Sequence, residues 1–140
     1  MMAAKSLRST KPGSRHPRRF PPSLVRDIDR SKIVWIRAGA RTDHRFIGIW
    51  AVVVGSRVFA RSWTLKPEGW YRTFLEDPLG RLRVGDREVP IRATRVRSEL
   101  TRDAVERAYA DKYDTRASLQ YVRGFRTKRR RESTMEFRPR

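Results

Sequence analysis

The amino-acid sequence predicts one small α+β domain built on a curled antiparallel sheet. Two pairs of strand-like runs are each separated by a two-residue glycine turn, Gly55-Ser56 and Gly85-Asp86, which is the pattern of a β-hairpin, with a type II′ turn expected. Helical stripes of apolar residues lie between and after these hairpins. Two hairpins joined through a short helix can curl into a small barrel that removes most exposed sheet edges. An open sheet with helices on one face is the alternative.

The predicted elements begin after a polar N-terminal segment. Residues 1–20 carry six basic side chains, no acidic one and little apolar surface, so we expect a disordered basic arm. The barrel domain is then expected to span residues 21–140. A short helix over 23–30, with Ser23 as its N-cap, is predicted next. The β-branched and aromatic run 32–37 predicts the first strand.

Further strands and helices complete the predicted domain. Residues 44–54 form the longest strand-like run, in which Gly48 indicates a bend or bulge. Residues 133–137 alternate as a last edge strand, beside which Pro139 is tolerated. Together the patterns predict about six strands and two or three short helices. The remaining strands are 57–62, 81–84 and 87–96, and the helices after the first are 69–77, 101–113 and a further turn over 117–123.

Composition excludes several classes of protein. The chain has 140 residues, no cysteine, two histidines and a net charge of +19. The lack of cysteine rules out disulfides and thiolate chemistry, and two histidines make a zinc site improbable, so we expect no metal. No run of 18 apolar residues is present, and no apolar stretch follows the basic start. We therefore expect a cytoplasmic protein without a membrane partner.

Residues 61–72 are the most suggestive segment for ligand binding. Arg61 and Ser62 end a predicted strand, Lys66 lies in the following loop, and a helix is predicted to begin near Gly69. Positive side chains beside a helix N-terminus suit a phosphate group. Trp63, Trp70 and Tyr71 offer ring faces to a planar heterocycle. The alternative is that Trp70 packs in the core while Arg61 and Lys66 are solvated.

Two other basic regions have weaker functional interpretations. Arg41, Asp43, His44 and Arg45 lie where a loop enters the longest strand, and they either extend an anion pocket or form a solvated turn. The run 128–131 and the N-terminal arm carry charges that suit nucleic-acid phosphates. Such runs are usually solvated tails, and no nucleic-acid-binding motif accompanies them. A nucleic-acid partner therefore stays open but is not favoured.

The order of motifs resembles a family of small bacterial proteins of unknown function. The resemblance extends from about residue 22 to residue 140, and its most specific elements are 108–113 (AYADKY) and 133–140 (STMEFRPR). The other residues that carry it are 49–54 (IWAVVV), Arg61-Ser62, 70–72 (WYR), 80–82 (GRL), Gly85 and 103–105 (DAV).

This family is similar to distant split-barrel proteins that bind flavin mononucleotide or a deazaflavin coenzyme, including nitroreductase-like and quinone-reductase-like enzymes. The resemblance implies a split β-barrel and a pocket in which a strand end, a loop and a Trp-Tyr helix line the cofactor. Carried over by position, it implies cofactor contacts for Arg45, Arg61, Ser62, Lys66, Gly69 and Trp70, to which the residues themselves add Arg41 and Trp63.

Three functions follow from these observations. The first is a split-barrel oxidoreductase in which a flavin or deazaflavin carries the hydride and the protein supplies binding and orientation. No general acid or base is predicted, and the small-molecule substrate is unknown. The second is a binding or regulatory barrel without a cofactor, and the third is a basic nucleic-acid-associated protein. A homodimer is an open alternative to a monomer.

Overall fold

The computed structural model describes residues 19–41 and 45–140. In these residues seven strands form one antiparallel sheet, accompanied by five helices. The strands are β1 (Val34–Ala38), β2 (Ile47–Ile49), β3 (Ala51–Val54), β4 (Arg57–Ala60), β5 (Leu79–Val84), β6 (Arg87–Arg95) and β7 (Met135–Pro139). The helices are α1 (Pro22–Arg30), α2 (Trp70–Glu76), α3 (Glu99–Lys112), α4 (Arg116–Gly124) and α5 (Lys128–Glu132).

The sheet curls into a nearly closed barrel. Its strand order is β2-β1-β5-β6-β7-β4-β3, and every neighbouring pair is antiparallel. The two end strands, β2 and β3, follow each other in the chain with only Trp50 between them. The two edges of the sheet are therefore held together covalently at one corner. This arrangement confirms the predicted α+β split barrel, with one more strand and more helices than expected.

Both predicted hairpins are present with their turns in place. Val54 pairs with Arg57 across the first turn, and Val84 pairs with Arg87 across the second. Gly55 has a φ of 64° and Gly85 a φ of 56°, which is the left-handed conformation that a primed hairpin turn needs at its first position. Helix α2 between the hairpins begins directly after Gly69, as predicted.

The longest predicted strand is interrupted at Trp50, two residues after the bend expected at Gly48. The Trp50 carbonyl accepts a hydrogen bond of 2.6 Å from the Tyr109 hydroxyl, and its ring stacks on Tyr113 at 4.2 Å between centroids. Trp50 is therefore held by α3, and the run splits into β2 and β3. Gly48 stays within β2, paired with Trp35.

The prediction that the last strand lies at an edge is wrong. Strand β7 lies between β4 and β6, and its residues 135–137 are buried. Pro139 is tolerated because it lies beyond the residues that pair with β4 and faces only Ile91 of β6. The expected cap at Ser23 is also wrong, because α1 begins at Pro22 without a side-chain cap.

Alternation along the strands separates two hydrophobic cores. Val58 and Ala60 point into the barrel, where α1 and α2 add apolar side chains, whereas Phe59 points outward and packs with α3 and α4 residues. Phe20 also belongs to the inner core, so the packed domain begins just before the boundary predicted at residue 21. The arm predicted to be disordered spans residues 1–20, of which residues 1–18 lie outside the described residues, so its disorder stays a prediction.

Lys112 joins α3 to the barrel through two backbone carbonyls. Its ammonium donates to the carbonyls of Ile28 at 2.9 Å and Ala51 at 2.7 Å. Burial lowers the pKa of Lys112 to about 8, although the nearby Asp29 carboxylate opposes this shift. A neutral amine keeps two N–H groups, which is enough to satisfy both carbonyls.

This lysine gives the fold a predictable dependence on pH. An unfolded lysine has a pKa of about 10.4, so between that value and about 8 the unfolded chain binds more protons and stability rises with pH. We expect the free energy of unfolding, measured with urea, to increase from about pH 7.5 to about pH 9.5 in the wild type relative to Lys112→Met. Parallel pH profiles for the two proteins would contradict this expectation.

Candidate cofactor cleft

An aromatic cleft opens beside the corner where β2 and β3 meet. Its volume is about 600 Å³, a size typical of small-molecule sites. Its lining comes from the residues just before β1, from β2 and Trp50, from the segment between β4 and α2, and from the end of α4. The lining residues are Lys32, Ile33, Ile47, Gly48, Ile49, Trp50, Arg61, Trp63, Thr64, Trp70, Tyr121 and Phe125.

Four aromatic rings organise this cleft. Trp50 has one face covered by Tyr113 in a parallel stack, while Tyr121 meets its ring edge-on at 5.7 Å. Trp63 packs edge-on against Tyr121 at 5.2 Å and against Phe125 at 5.5 Å. Trp63 and Tyr121 nevertheless stay 41% and 42% exposed. The mouth of the cleft therefore presents flat apolar surface to solvent, as an aromatic ligand requires.

Trp63 is held in position by a glycine and an arginine. A Cβ at Gly124, in the last turn of α4, would overlap the Trp63 ring, so only glycine allows this close approach. The Arg130 guanidinium lies 3.9 Å from the centre of the Trp63 ring, and its Nε donates to the Trp63 carbonyl at 2.9 Å. This cation–π contact fixes both the ring and its backbone.

The lining contains two cations, and they have different environments. Lys32 is exposed at the rim, where its ammonium lies 5.8 Å from the centre of the Trp50 ring. Arg61 has a side chain with no exposed surface and is bonded to the protein. Of the two, Lys32 is the one available to a negatively charged part of a ligand.

Arg61 connects four separate elements of the fold. Its Nε donates to Thr134 Oγ1 at 2.9 Å, its Nη2 to the carbonyl of Arg102 at 2.8 Å, and its Nη1 to the Phe125 carbonyl at 2.9 Å and Glu106 Oε1 at 3.2 Å. Four of its five N–H groups are therefore used within the protein. The contacts support a structural role and leave no exposed N–H surface for a phosphate.

The surroundings of Arg61 are polar but shielded from water. Burial lowers the pKa of Arg61, and the hydrogen bond to Glu106 opposes that shift. The backbone N–H of Arg61 donates to the Tyr109 hydroxyl at 2.8 Å, and burial raises the pKa of this phenol. Glu106 also pairs with Arg131, which contacts Glu99 and Asp103 along α3. Arg131 of the basic run is thus part of the internal ion-pair network.

The structure brings together three of the eight predicted site residues. Arg61, Trp63 and Trp70 line the cleft, although Trp70 is buried and packs on Phe74 and Phe137 in the barrel core. The other five do not appear among the described lining residues. Ser62 is buried, with Oγ donating to the Thr64 carbonyl, and Gly69 donates its N–H to the Lys66 carbonyl, while Lys66, Arg41 and Arg45 are exposed.

Nine of the twelve described lining residues were not predicted as site residues, including the aromatic pair at the end of α4. Tyr121 and Phe125 stand one helical turn apart at the end of α4, so their side chains share one face. That aromatic pair at a spacing of four is a signal in the sequence, but the segment was predicted only as an additional turn.

Within residues 19–41 and 45–140, no cluster of three His, Asp or Glu side chains suits a metal ion. No helix in the same residues is long and apolar enough to cross a membrane.

Residues 25–137 match the model of a family described as uncharacterized proteins conserved in bacteria, DUF2255. The chain belongs to this family. The match covers the whole barrel except the last residues of β7, and it confirms the resemblance to a bacterial family of unknown function. A comparison with curated proteins finds no match.

Several solved structures of other proteins share the barrel fold of this DUF2255 chain. An F420-H2 dependent reductase (FDR-A) is 20% identical, with a TM-score of 0.54 over 79% of this chain and 95% of that one. An FAD-binding protein from Mesorhizobium loti is 12% identical, with a TM-score of 0.51 over 87% and 90%. A putative pyridoxamine 5'-phosphate oxidase from Listeria innocua is 10% identical, with a TM-score of 0.54 over 84% and 90%. At these identities the likeness establishes the split-barrel fold.

Proposed function

We propose that the aromatic cleft binds the ring system of a flavin or a deazaflavin. The observation that carries the proposal is the half-exposed pair Trp63 and Tyr121 at the mouth of an otherwise apolar cleft of about 600 Å³. Similar barrels named as an F420-H2 dependent reductase and as an FAD-binding protein support this choice of ligand. When reduced, such a cofactor supplies a hydride to a substrate.

The residues of this chain have distinct roles in the proposed complex. Trp63 and Tyr121 offer ring faces and edges to the heterocycle, and Ile33 and Ile47 exclude water from its other side. Lys32 attracts a phosphate or carboxylate of the cofactor tail at the rim. Arg130 acts through Trp63 by holding its ring in place. Arg61 keeps β4, α3 and α4 in register around the cleft.

The proposal is tested by titrating the full chain with riboflavin, flavin mononucleotide and the deazaflavin F420 while tryptophan fluorescence and absorbance are recorded. We expect saturable binding to the wild type. Trp63→Ala removes an aromatic contact of about 1–3 kcal/mol, judged by the stacking of bases on aromatic side chains, and should weaken binding roughly 5- to 150-fold. Gly124→Ala should act in the same direction by displacing the Trp63 ring.

Leu100→Ala is the matched control, because Leu100 is 82% exposed and is not among the lining residues of the cleft. Its affinity should equal that of the wild type. No binding of any of the three compounds at millimolar concentration, or equal affinity for the Trp63→Ala and wild-type proteins, would reject the proposal.

A binding or regulatory barrel without a cofactor is the second candidate. The internal contacts of Arg61 favour it, because the residue carried over from cofactor-binding relatives as a phosphate ligand is satisfied by protein groups. The same titration separates the two functions, since this candidate requires an intact cleft that takes none of the three compounds. A homodimer stays a prediction, which the mass of the protein in solution would test.

A further inference from the structure

A smaller cavity lies beside residues 64–71, the segment that also contributes Thr64 and Trp70 to the cleft. Its volume is about 130 Å³. Thr64 and Trp70 line the cleft, whereas their neighbours Leu65 and Tyr71 line this cavity, so the two sites share one wall. The other lining residues are Arg72 of α2, Arg95 at the end of β6, and Arg129 and Glu132 of α5.

The three arginines of this cavity have no side-chain partner among the described residues. Within residues 19–41 and 45–140, no side-chain hydrogen bond or ion pair is made by Arg72, Arg95 or Arg129. Many exposed arginines of this basic chain are also unpaired. These three differ because they come from three separate elements and converge on one cavity. Among the described lining residues Glu132 is the one carboxylate beside three arginines, so their net charge is positive.

Arg95 is the least expected residue of the three. Ile91 and Ala93 precede it at alternate positions of β6 and belong to the barrel core, so Arg95 lies on the same inward face, at the barrel's end. Its Nε is buried and has no hydrogen-bond partner among the described residues. Buried polar groups are almost always satisfied, so this N–H requires a partner such as a water molecule, an ion or a ligand.

We propose that Arg72, Arg95 and Arg129 form a binding site for a phosphate group. The cavity volume of about 130 Å³ is large enough to admit a tetrahedral oxyanion. A phosphate presents oxygens in several directions and can accept from guanidinium groups that approach from three elements. A carboxylate presents two oxygens in one plane and matches one guanidinium fork.

The phosphate is either a free ion or the ester of a larger ligand, and the shared chemistry is recognition of its oxygens. Because the cavity adjoins the cleft, the ester of a cleft ligand is one source. This site does not depend on the proposed cofactor, since its lining residues and those of the cleft are different side chains.

The test measures the melting temperature and isothermal titration of the full chain with inorganic phosphate, against acetate at matched ionic strength. We expect phosphate, and not acetate, to stabilise the wild type. Arg95→Gln should weaken phosphate binding by roughly tenfold or more, because one charge-assisted contact is lost. Arg72→Gln should have a similar effect, and this exposed position keeps the test valid where Arg95→Gln fails to fold.

Arg97→Gln is the matched control, because Arg97 is exposed, lies two residues after the end of β6 and is not a described lining residue of the cavity. It should bind phosphate as the wild type does. Equal stabilisation by phosphate and acetate, or equal losses in Arg97→Gln and the two cavity variants, would overturn the proposal, since both indicate attraction by net charge alone.

A second pair of titrations identifies the source of the phosphate. If the site holds an ester, Arg95→Gln reduces the affinity for flavin mononucleotide and leaves that for riboflavin unchanged. If the site holds the free ion, Arg95→Gln reduces the affinity for inorganic phosphate and leaves the affinities for both flavins unchanged. Failure of riboflavin to bind the wild type concerns the cleft and leaves the inorganic phosphate result intact.

Discussion

Replacement of Arg61 by methionine is expected to lower the free energy of unfolding by about 3–5 kcal/mol. The guanidinium is fully buried and bonds to Thr134, Glu106 and the carbonyls of Arg102 and Phe125. Methionine fills much of the space but leaves these acceptors without a donor. Removing one partner of a buried ion pair costs more stability than replacing both partners by apolar groups. Urea unfolding monitored by tryptophan fluorescence measures the loss.

Two further variants make this result specific. Arg61→Lys should recover little of the stability, because an ammonium cannot reproduce the planar fork of donors that reaches four acceptors. Arg81→Ala is the control, since its ion pair with Glu88 is partly exposed and should contribute about 0–1 kcal/mol. An Arg61→Met protein within 1 kcal/mol of the wild type would show that the network is not a major source of stability.

Truncation of Phe74 to alanine is expected to cost about 3–5 kcal/mol. Phe74 is buried in the barrel core, with its ring centre 6.1 Å from that of Trp70 and 5.9 Å from that of Phe137. Gly80 of β5 makes room for this ring, because a Cβ there would contact Phe74 at 2.8 Å and overlap the Arg37 carbonyl. Because the β5 backbone at Gly80 already packs closely against the Arg37 carbonyl, it cannot shift to fill the cavity that Phe74→Ala leaves.

Leu75→Ala on the same helix is the matched control for this truncation. Leu75 is 45% exposed, so its loss should change the free energy of unfolding by about 0.5 kcal/mol or less. Urea unfolding of both variants separates the loss of core packing from any change in the helical tendency of α2. Similar values for the two variants would contradict the assignment of Phe74 to the core.

The parts of the fold that were predictable from sequence are those that depend on neighbouring residues. The hairpin turns at Gly55 and Gly85 and the start of α2 after Gly69 follow from local backbone chemistry, and the structure has all three. The break at Trp50 was not predictable in this way. It depends on Tyr109 in α3 and on Tyr113 directly after this helix, far along the chain. Tyr109 bonds to the Trp50 carbonyl, and Tyr113 stacks on the Trp50 ring.

The candidate site shows the same limit. Strand alternation puts Arg61 on the same face as Phe59, where its guanidinium needs a carbonyl or anionic partner, and the structure supplies both kinds. The nearest acid in sequence is Glu68, but the partner is Glu106, 45 residues away. Periodicity identifies which side chains need partners, whereas the packing of α3 against the barrel determines which partners they receive.

The central position of β7 has a consequence for how the chain folds. Strands β4 and β6 have no contact as neighbours until residues 135–137 lie between them, because β7 pairs with both. The hairpins can form from local contacts while the chain is being synthesised, but the ladder closes only after the last strand emerges. Non-local pairing of this kind is slow, and it leaves the edges of β4 and β6 open in the interval. A delay at this step therefore prolongs the exposure of two unpaired strand edges, through which unfinished chains can associate.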